Sequence, residues 1–167
     1  MELAAENSVI DISDNTITIN GENVCIPCHI NDLKKLFGKP RKYSDKKYEP
    51  TFFIWDNAGI YCAAFRFAII HHLVVCIGIK TNPDAESDFY PKSEFKGKIT
   101  VCGEPWEEVM RGGEDIEIAR RKNIGAYSLV SVYANDEKGD TDITCGAYAG
   151  LEIHIPESEK TDEQQNL

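Results

Sequence analysis

The tightest constraint on the fold sits in the first thirty residues. Two short alternating stretches, SVIDIS (8–13) and TITIN (16–20), run into Asn20-Gly21-Glu22 and then NVCIP (23–27). Alternation places Ile17 and Ile19 on one face, the pattern of a half-buried strand. Asp14-Asn15 supplies a turn between the first two stretches. Asn-Gly is the strongest short hairpin signal, because both residues accept the positive φ that a strand-matching tight turn demands. Strands joined by turns this short pair antiparallel, since a parallel pair needs a crossover of a dozen or so residues.

The rest of the chain continues in the same style. NDLKKLFGKP (31–40) predicts a helix of about two turns, with Asn31 as cap, Leu33, Leu36 and Phe37 on one face, and Gly38 and Pro40 as stop signals. TFFIWDNAGIYCAAF (51–65) reads as two strands around Asp56–Gly59. HHLVVCIGIK (71–80) is apolar on both faces, as in a central, covered strand. TNPDAESDFYPKSEF (81–95) is a loop and GKITVCG (97–103) a strand. EPWEEVMRGGEDIEIARRKN (104–123) reads as one or two short helical pieces broken at Gly112-Gly113. AYSLVSVYAN (126–135) and GLEIHIP (150–156) are strands separated by the turn-rich DEKGDTD (136–142).

About eight strands against one to three short helices, without strict strand–helix alternation, predict an α+β domain built on a predominantly antiparallel sheet. With 167 residues the chain reads as one domain, residues 1–156, with 157–167 an acidic flexible tail. No apolar run is long enough to span a bilayer. The N-terminal MELAAENSVIDIS carries no basic n-region and no continuous apolar core, so a cytoplasmic location is expected.

The net charge is −10, and its distribution says more than its sum. Seven of the eighteen basic residues fall between Lys34 and Lys47, opposed only by Asp45. Everything else holds eleven bases against twenty-seven acids. Such a surface disfavours nucleic acid and anionic membranes and favours a basic partner. Tyr43 and Tyr48 beside the basic run give it the composition of a phosphate-and-base contact. A solvated loop, or a counterpart to the acidic segments, fits the rest of the molecule better.

Among the six cysteines, Cys25-x-x-Cys28-His29 matches the attachment pattern for c-type haem. Haem attachment normally follows export, and Met1 and Met110 are the only methionines to offer a distal ligand. A redox reading gains from Cys28 preceding a helix, whose N-terminus favours a thiolate. Zinc would need ligands beyond one Cys-x-x-Cys pair, drawn from Cys145, His29, His71 or His72. The plain reading is a pair of reduced cysteines at a strand end, and no cofactor or metal is expected. His71-His72 fall on opposite faces if they lie in a strand, and His154 faces outward beside Glu152. In DEKGDTD the glycine comes too early for a calcium loop. No nucleophile elbow, phosphate loop, dinucleotide fingerprint or His-Glu-x-x-His occurs, and no enzyme activity is expected.

The positive functional signal is acidic. From Glu104 to Glu117 there are six acids against Arg111 alone, with Trp106 and Met110 among them. Asp84, Glu86, Asp88, Phe89 and Tyr90 repeat the theme. Apolar anchors beside charge are what a protein interface uses for affinity and selective encounter.

Two motifs carry a resemblance. LKKLFGKP followed by FFIWDNAGIYC is similar to a widespread bacterial domain of otherwise unknown function, in which an LxxLxGxP helix precedes a WDxxGIY hairpin. The likeness covers roughly residues 16–155. The small, acidic chain as a whole resembles immunity proteins encoded beside bacterial polymorphic toxins, including those of contact-dependent growth inhibition systems. That resemblance implies a cytoplasmic protein that binds and occludes a cognate basic toxin domain, often a nuclease, with no cofactor. The charge pattern then predicts an interface of Asp84, Glu86, Asp88, Glu107, Glu108, Glu114 and Asp115, with Tyr90 and Trp106 as anchors. The rival is a metal-binding or thiol-redox protein built on Cys25 and Cys28.

Overall fold

The computed structural model describes residues 8–44, 50–67, 70–84, 86–116, 119–133 and 140–147. The strand expected at 150–156, with Glu152 and His154, lies outside them. So do the tail at 157–167, Gly139, Asp45, Lys46, Lys47, Tyr48 and Glu117. The chain is α+β and mostly antiparallel, as the alternation implied, but more finely divided: the described residues form fourteen strands and two helices.

The N-terminal strands are β1 (Val9–Ile12), β2 (Ile17–Ile19), β3 (Glu22–Val24) and β4 (Cys28–His29), followed by helix α1 (Ile30–Phe37). Then come β5 (Arg41–Ser44), β6 (Thr51–Trp55), β7 (Ile60–Phe67), β8 (Ile70–Ile79), β9 (Lys98–Val101) and β10 (Glu104–Pro105). Helix α2 (Trp106–Arg111) precedes β11 (Glu114–Ile116), β12 (Ala119–Ile124), β13 (Tyr127–Tyr133) and β14 (Asp140–Ala147).

Two sheets result. The smaller has five strands in the order β10-β9-β1-β2-β3. The hairpin at Asn20-Gly21 forms as the dipeptide dictates, with φ of 50° and 86° at its two central residues and Ile19 paired to Glu22. Cys102-Gly103 makes the same turn, φ 51° and 82°, and folds Glu104-Pro105 back onto β9. One pair breaks the antiparallel rule: β1 runs parallel to β9, Ile10 opposite Ile99.

The larger sheet runs β11-β12-β13-β14-β8-β7-β6-β5, with β4 added against β8. As expected of a strand apolar on both faces, β8 is central: β7 lies on one side and β14 on the other, with β4 joining at Leu73 and Val74. Residues 104–123 differ from expectation. Only Trp106–Arg111 is helical; after Gly112-Gly113 the chain forms the β11–β12 hairpin, in which Ile116 faces Ala119. Arg41–Ser44, inside the basic run, pairs as strand β5 with β6.

A single buried cluster joins both sheets: Ile10, Ile12, Ile17 and Ile19 from the first, and Ile60, Cys62, Ile77, Leu129 and Ile143 from the second. Leu33 of α1 and Met110 of α2, each fully buried, close it. Helix α1 begins two residues earlier than a cap at Asn31 would place it. His29 caps it, and its Nδ1 accepts the Asn31 N–H at 3.0 Å.

Candidate functional site: a stapled acidic loop

The loop between β8 and β9 carries Asp84, Glu86 and Asp88, all exposed. Long loops are normally loose. This one is fastened at both ends, at residues 81–82 and 88–92, by charged groups from four different strands or turns.

At its start, the Asp142 carboxylate accepts the backbone N–H groups of Thr81 (2.7 Å) and Asn82 (3.1 Å), while the Asp142 N–H donates to the Thr81 hydroxyl at 2.8 Å. Asp142 takes a positive φ of 52° in β14, which a short side chain bonded to nearby backbone tolerates. Asn82 then turns the chain over Pro83, its Oδ1 accepting the Asp84 N–H at 3.0 Å.

At its end, Lys80 and the Asp56–Arg41 pair take over. Lys80 is 2 % exposed, and its ammonium donates to the carbonyls of Pro91 (3.0 Å) and Lys92 (3.4 Å). A buried ammonium costs several kcal/mol in lost hydration unless its protons are taken up, so these two carbonyls are held where the lysine needs them. Asp56 forms a two-pronged pair with Arg41, Nε at 2.9 Å and Nη2 at 3.0 Å. The same carboxylate accepts the Lys92 N–H at 3.0 Å. Arg41 spends its remaining fork on the carbonyls of Asp88 (2.9 Å) and Tyr90 (3.1 Å). The Arg41 guanidinium holds the Asp56 carboxyl below its usual range, and the pairing raises Arg41 in return.

The turn that presents Asp56 is itself tight. Ala58 and Gly59 donate to the Trp55 carbonyl, Gly59 has φ 73°, and a Cβ there would lie 2.1 Å from the backbone nitrogen of Phe95. Only glycine allows the loop's end to approach this closely. Gly59 accepts the Lys80 N–H and Lys80 accepts the Phe95 N–H, each at 2.8 Å. Trp55 donates its indole N–H to the Gly38 carbonyl at 2.9 Å and packs edge-on against Phe37 at 5.1 Å. The LxxLxGxP helix and the WDxxGIY hairpin therefore lock together, and their joint product is the platform under the acidic loop.

Aromatic packing completes the fastening. Phe89 stacks on Phe52 at 4.8 Å, and the Tyr90 ring lies 5.3 Å from that of Tyr61. Burial pushes both tyrosines up. The Tyr61 ring in turn lies across Gly78, where a Cβ would sit 2.1 Å from its Cζ.

The structure divides the sequence-derived candidates into groups. Asp84, Glu86 and Asp88 sit on the fastened loop. Glu107 and Glu108 are exposed in the first turn of α2. Both segments border one depression, lined by Asn82 and Pro83 on one side and Pro105, Trp106 and Glu107 on the other. Among the described residues no cation lies within ion-pair distance of any of these five carboxylates. Glu114 and Asp115 are elsewhere, on the edge hairpin, paired across the strands with Arg121 (3.2 Å) and Arg120 (3.6 Å). Trp106 is 5 % exposed and belongs to the core, and Tyr90 packs inward. The residues that hold the loop were not singled out by the sequence. Lys80, a charge ending an all-apolar strand, was the one visible hint.

The cysteine motif resolves differently. Cys25 is exposed, and its thiol lies 3.6 Å from the Asn15 carbonyl. Cys28 is part of β4, and its thiol is pushed up to about 12 by burial, then by Asp32 and Cys25. Burial therefore outweighs any help from the start of α1, whose capping position His29 takes. His72 packs edge-on to Phe53 at 5.1 Å. Among the described residues no group of three or more His, Cys, Asp or Glu side chains is placed to hold a metal ion. None of their helices is long and apolar enough to cross a membrane.

Residues 9–115 match a family described as a domain of unknown function, DUF7738. The chain belongs to the DUF7738 family. The match takes in both motifs, the acidic loop and α2, and ends within β11. No curated protein and no solved structure matches this DUF7738 chain.

Proposed function

We propose that this protein is a cytoplasmic immunity protein, one that binds a cognate basic toxin domain, a nuclease, and occludes its active site. The observation that carries the reading is the fastened loop. Of its three exposed carboxylates, Asp84 and Asp88 flank the ends of a loop pinned by Asp142 at one side and by Lys80 and the Asp56–Arg41 pair at the other. An inhibitor gains from this arrangement, because a loop already ordered loses less entropy on binding. A nuclease must attract phosphate, so the rim of its cleft is basic. A rigid acidic loop on a chain of net charge −10 steers into such a cleft and competes with its substrate. Glu107 and Glu108 extend the acidic surface across the neighbouring depression, whereas Glu114 and Asp115 are already engaged by arginines and contribute less.

The test is direct. The toxin domain encoded in the neighbouring reading frame should be toxic alone and harmless when this protein is co-expressed. Lysine at Asp84, Asp88, Glu107 and Glu108 together, in a variant with an unchanged circular dichroism spectrum, should abolish protection and slow association at low salt. Undiminished protection by that folded variant would show the reading to be wrong.

A further inference from the structure

Asn20-Gly21 does more than turn the chain. A glycine after an asparagine leaves its peptide nitrogen unshielded, since it carries no Cβ, and such a pair loses ammonia more readily than other asparagine sites. The reaction is internal. The Gly21 nitrogen attacks Asn20 Cγ, and the new N–C bond closes a five-membered ring. The Cγ–Nδ2 bond breaks, and Nδ2 leaves as ammonia with the proton that the Gly21 nitrogen gives up. Water then opens the ring at one carbonyl or the other. One product is aspartate. The other is isoaspartate, in which Cβ has become part of the main chain. Both residues are exposed, so access of water does not limit the reaction.

The folded turn forbids the first step. The ring consists of the Gly21 nitrogen and the carbonyl carbon, Cα, Cβ and Cγ of Asn20, and it closes only when that nitrogen and Cβ are nearly eclipsed about the Cα–C bond. Asn20 is left-handed, with φ 50°. In that region ψ is about +30 to +60°, which in an L-residue sets the next nitrogen about 150–180° away from Cβ, on the far side of the bond. The side chain is also tied down. Asn20 Oδ1 accepts the Val9 N–H at 2.7 Å, and its Nδ2 lies 3.5 Å from the Ser8 hydroxyl. The Asn20 N–H donates to the Val9 carbonyl at 2.9 Å. These bonds hold residue 20 against β1, whereas Gly21 leads into β3.

We infer that Asn20 is a deamidation site gated by its own hairpin: shut in the folded chain, reactive only in molecules whose β2–β3 turn has opened, and, once converted to isoaspartate, a bar to the turn closing again. The edge position makes such opening accessible. β3 ends its sheet and pairs with β2 alone, and an edge hairpin opens at a lower free energy than the whole domain unfolds. The two products differ in consequence. Aspartate keeps an acceptor for the Val9 N–H and tolerates positive φ, so that chain closes normally. Isoaspartate adds a carbon to the main chain between Ile19 and Glu22, which face each other across the two-residue turn, and their pairing is lost. A reversible opening thus becomes a permanent one.

The experiment incubates the full chain at pH 8 and follows deamidation of Asn20 by peptide mass spectrometry. A synthetic peptide of residues 14–26 gives the rate of the free sequence. The folded chain should react at least tenfold more slowly than the peptide, and unfolding it in urea should bring it to the peptide's rate. Ile17→Val trims a buried contact of β2 and should raise the deamidation rate by the same factor as hydrogen exchange at Glu22. Asn20→Asp should keep the wild-type Tm, whereas the isoaspartate-containing fraction should lose protection at Glu22 and Val24. A folded chain that deamidates as fast as the peptide, or one that stays slow when unfolded, overturns the inference. So does a rate in Ile17→Val that stays still while exchange rises, or native protection at Glu22 in isoaspartate-containing molecules.

Discussion

Replacing Asp56 by alanine tests whether the acidic loop is held as described. The substitution removes both prongs of the Arg41 pair and the acceptor of the Lys92 N–H. A hydrogen bond to a charged group contributes about 1.5–3 kcal/mol net. Here the low end applies, because the Arg41 and Asp56 side chains are 35 % and 21 % exposed and water can replace part of the loss. The Lys92 N–H bond is exposed, so water replaces Asp56 there and its loss adds little. The expected total is about 1.5–2 kcal/mol, a fall in Tm of roughly 3–8 °C for a domain of this size. Asp56→Asn keeps an oxygen for Lys92 and should cost about half as much.

The pH dependence gives a second, independent reading of the same contact. Arg41 depresses the Asp56 carboxyl in the folded state. The unfolded chain therefore takes up this proton first as pH falls. The contribution is full above the unfolded value of about 3.9 and disappears as pH drops through the lower folded value. Urea titrations at pH 7, 5, 4 and 3.5 should show the gap between wild type and Asp56→Asn constant from 7 to 5 and narrowing below 4. Hydrogen exchange should speed up at Tyr90 and Lys92 in Asp56→Ala, with little change in β13. A cost below about 0.5 kcal/mol, the size of an ordinary surface change, a gap that ignores pH, or unchanged exchange at the loop would refute the argument.

Three further outcomes are expected. Gly78→Ala drives a methyl into the Tyr61 ring, which Tyr90 keeps from swinging away, and should cost about 1–3 kcal/mol in urea denaturation. Alkylation at pH 8 followed by mass spectrometry should label Cys25 fastest, Cys102 more slowly because its thiol is raised by desolvation, Asp14 and Asp11, and Cys28 only on unfolding. A chain ending at residue 115 should not fold, as judged by near-ultraviolet dichroism. It loses β12–β14, and with them Tyr127, Leu129, Ile143 and Cys145 from the core.

The parts of the fold legible in the sequence are those set by local rules. Asn20-Gly21 dictates its turn whatever surrounds it, and Leu33, Leu36 and Gly38 mark a helix and its end. Residues 114–123 misled because Glu and Arg favour helix in isolation, while here each acid of Glu114-Asp115 finds its arginine across a hairpin. Cross-strand pairing of that kind is tertiary and has no helix-period signature. Cys102-Gly103 hid a turn for a different reason: cysteine is not a usual φ-positive residue. Asp11 makes that turn worthwhile, its Oδ1 accepting the Gly103 N–H at 3.0 Å. The acidic segments were legible as charge. Their separation into a fastened loop, a helix start and a neutralised hairpin depends on contacts such as Arg41 to Tyr90, 49 residues apart.

These contacts connect the two halves of the molecule's logic. LxxLxGxP and WDxxGIY contain one carboxylate, Asp56, which is engaged by Arg41 and the Lys92 N–H. Their geometry has one outward consequence. Gly38 receives the Trp55 indole, Trp55 sets the turn, and the turn aims Asp56 at both Arg41 and Lys92. Arg41 and Lys80 then fix the carbonyls of residues 88 and 90–92. All these anchors grip backbone; none grips the side chains of Asp84, Glu86 or Asp88. The loop's shape is therefore independent of the identities at its exposed positions. Such a scaffold can hold different surface residues in the same place, which is what the immunity function proposed above would use.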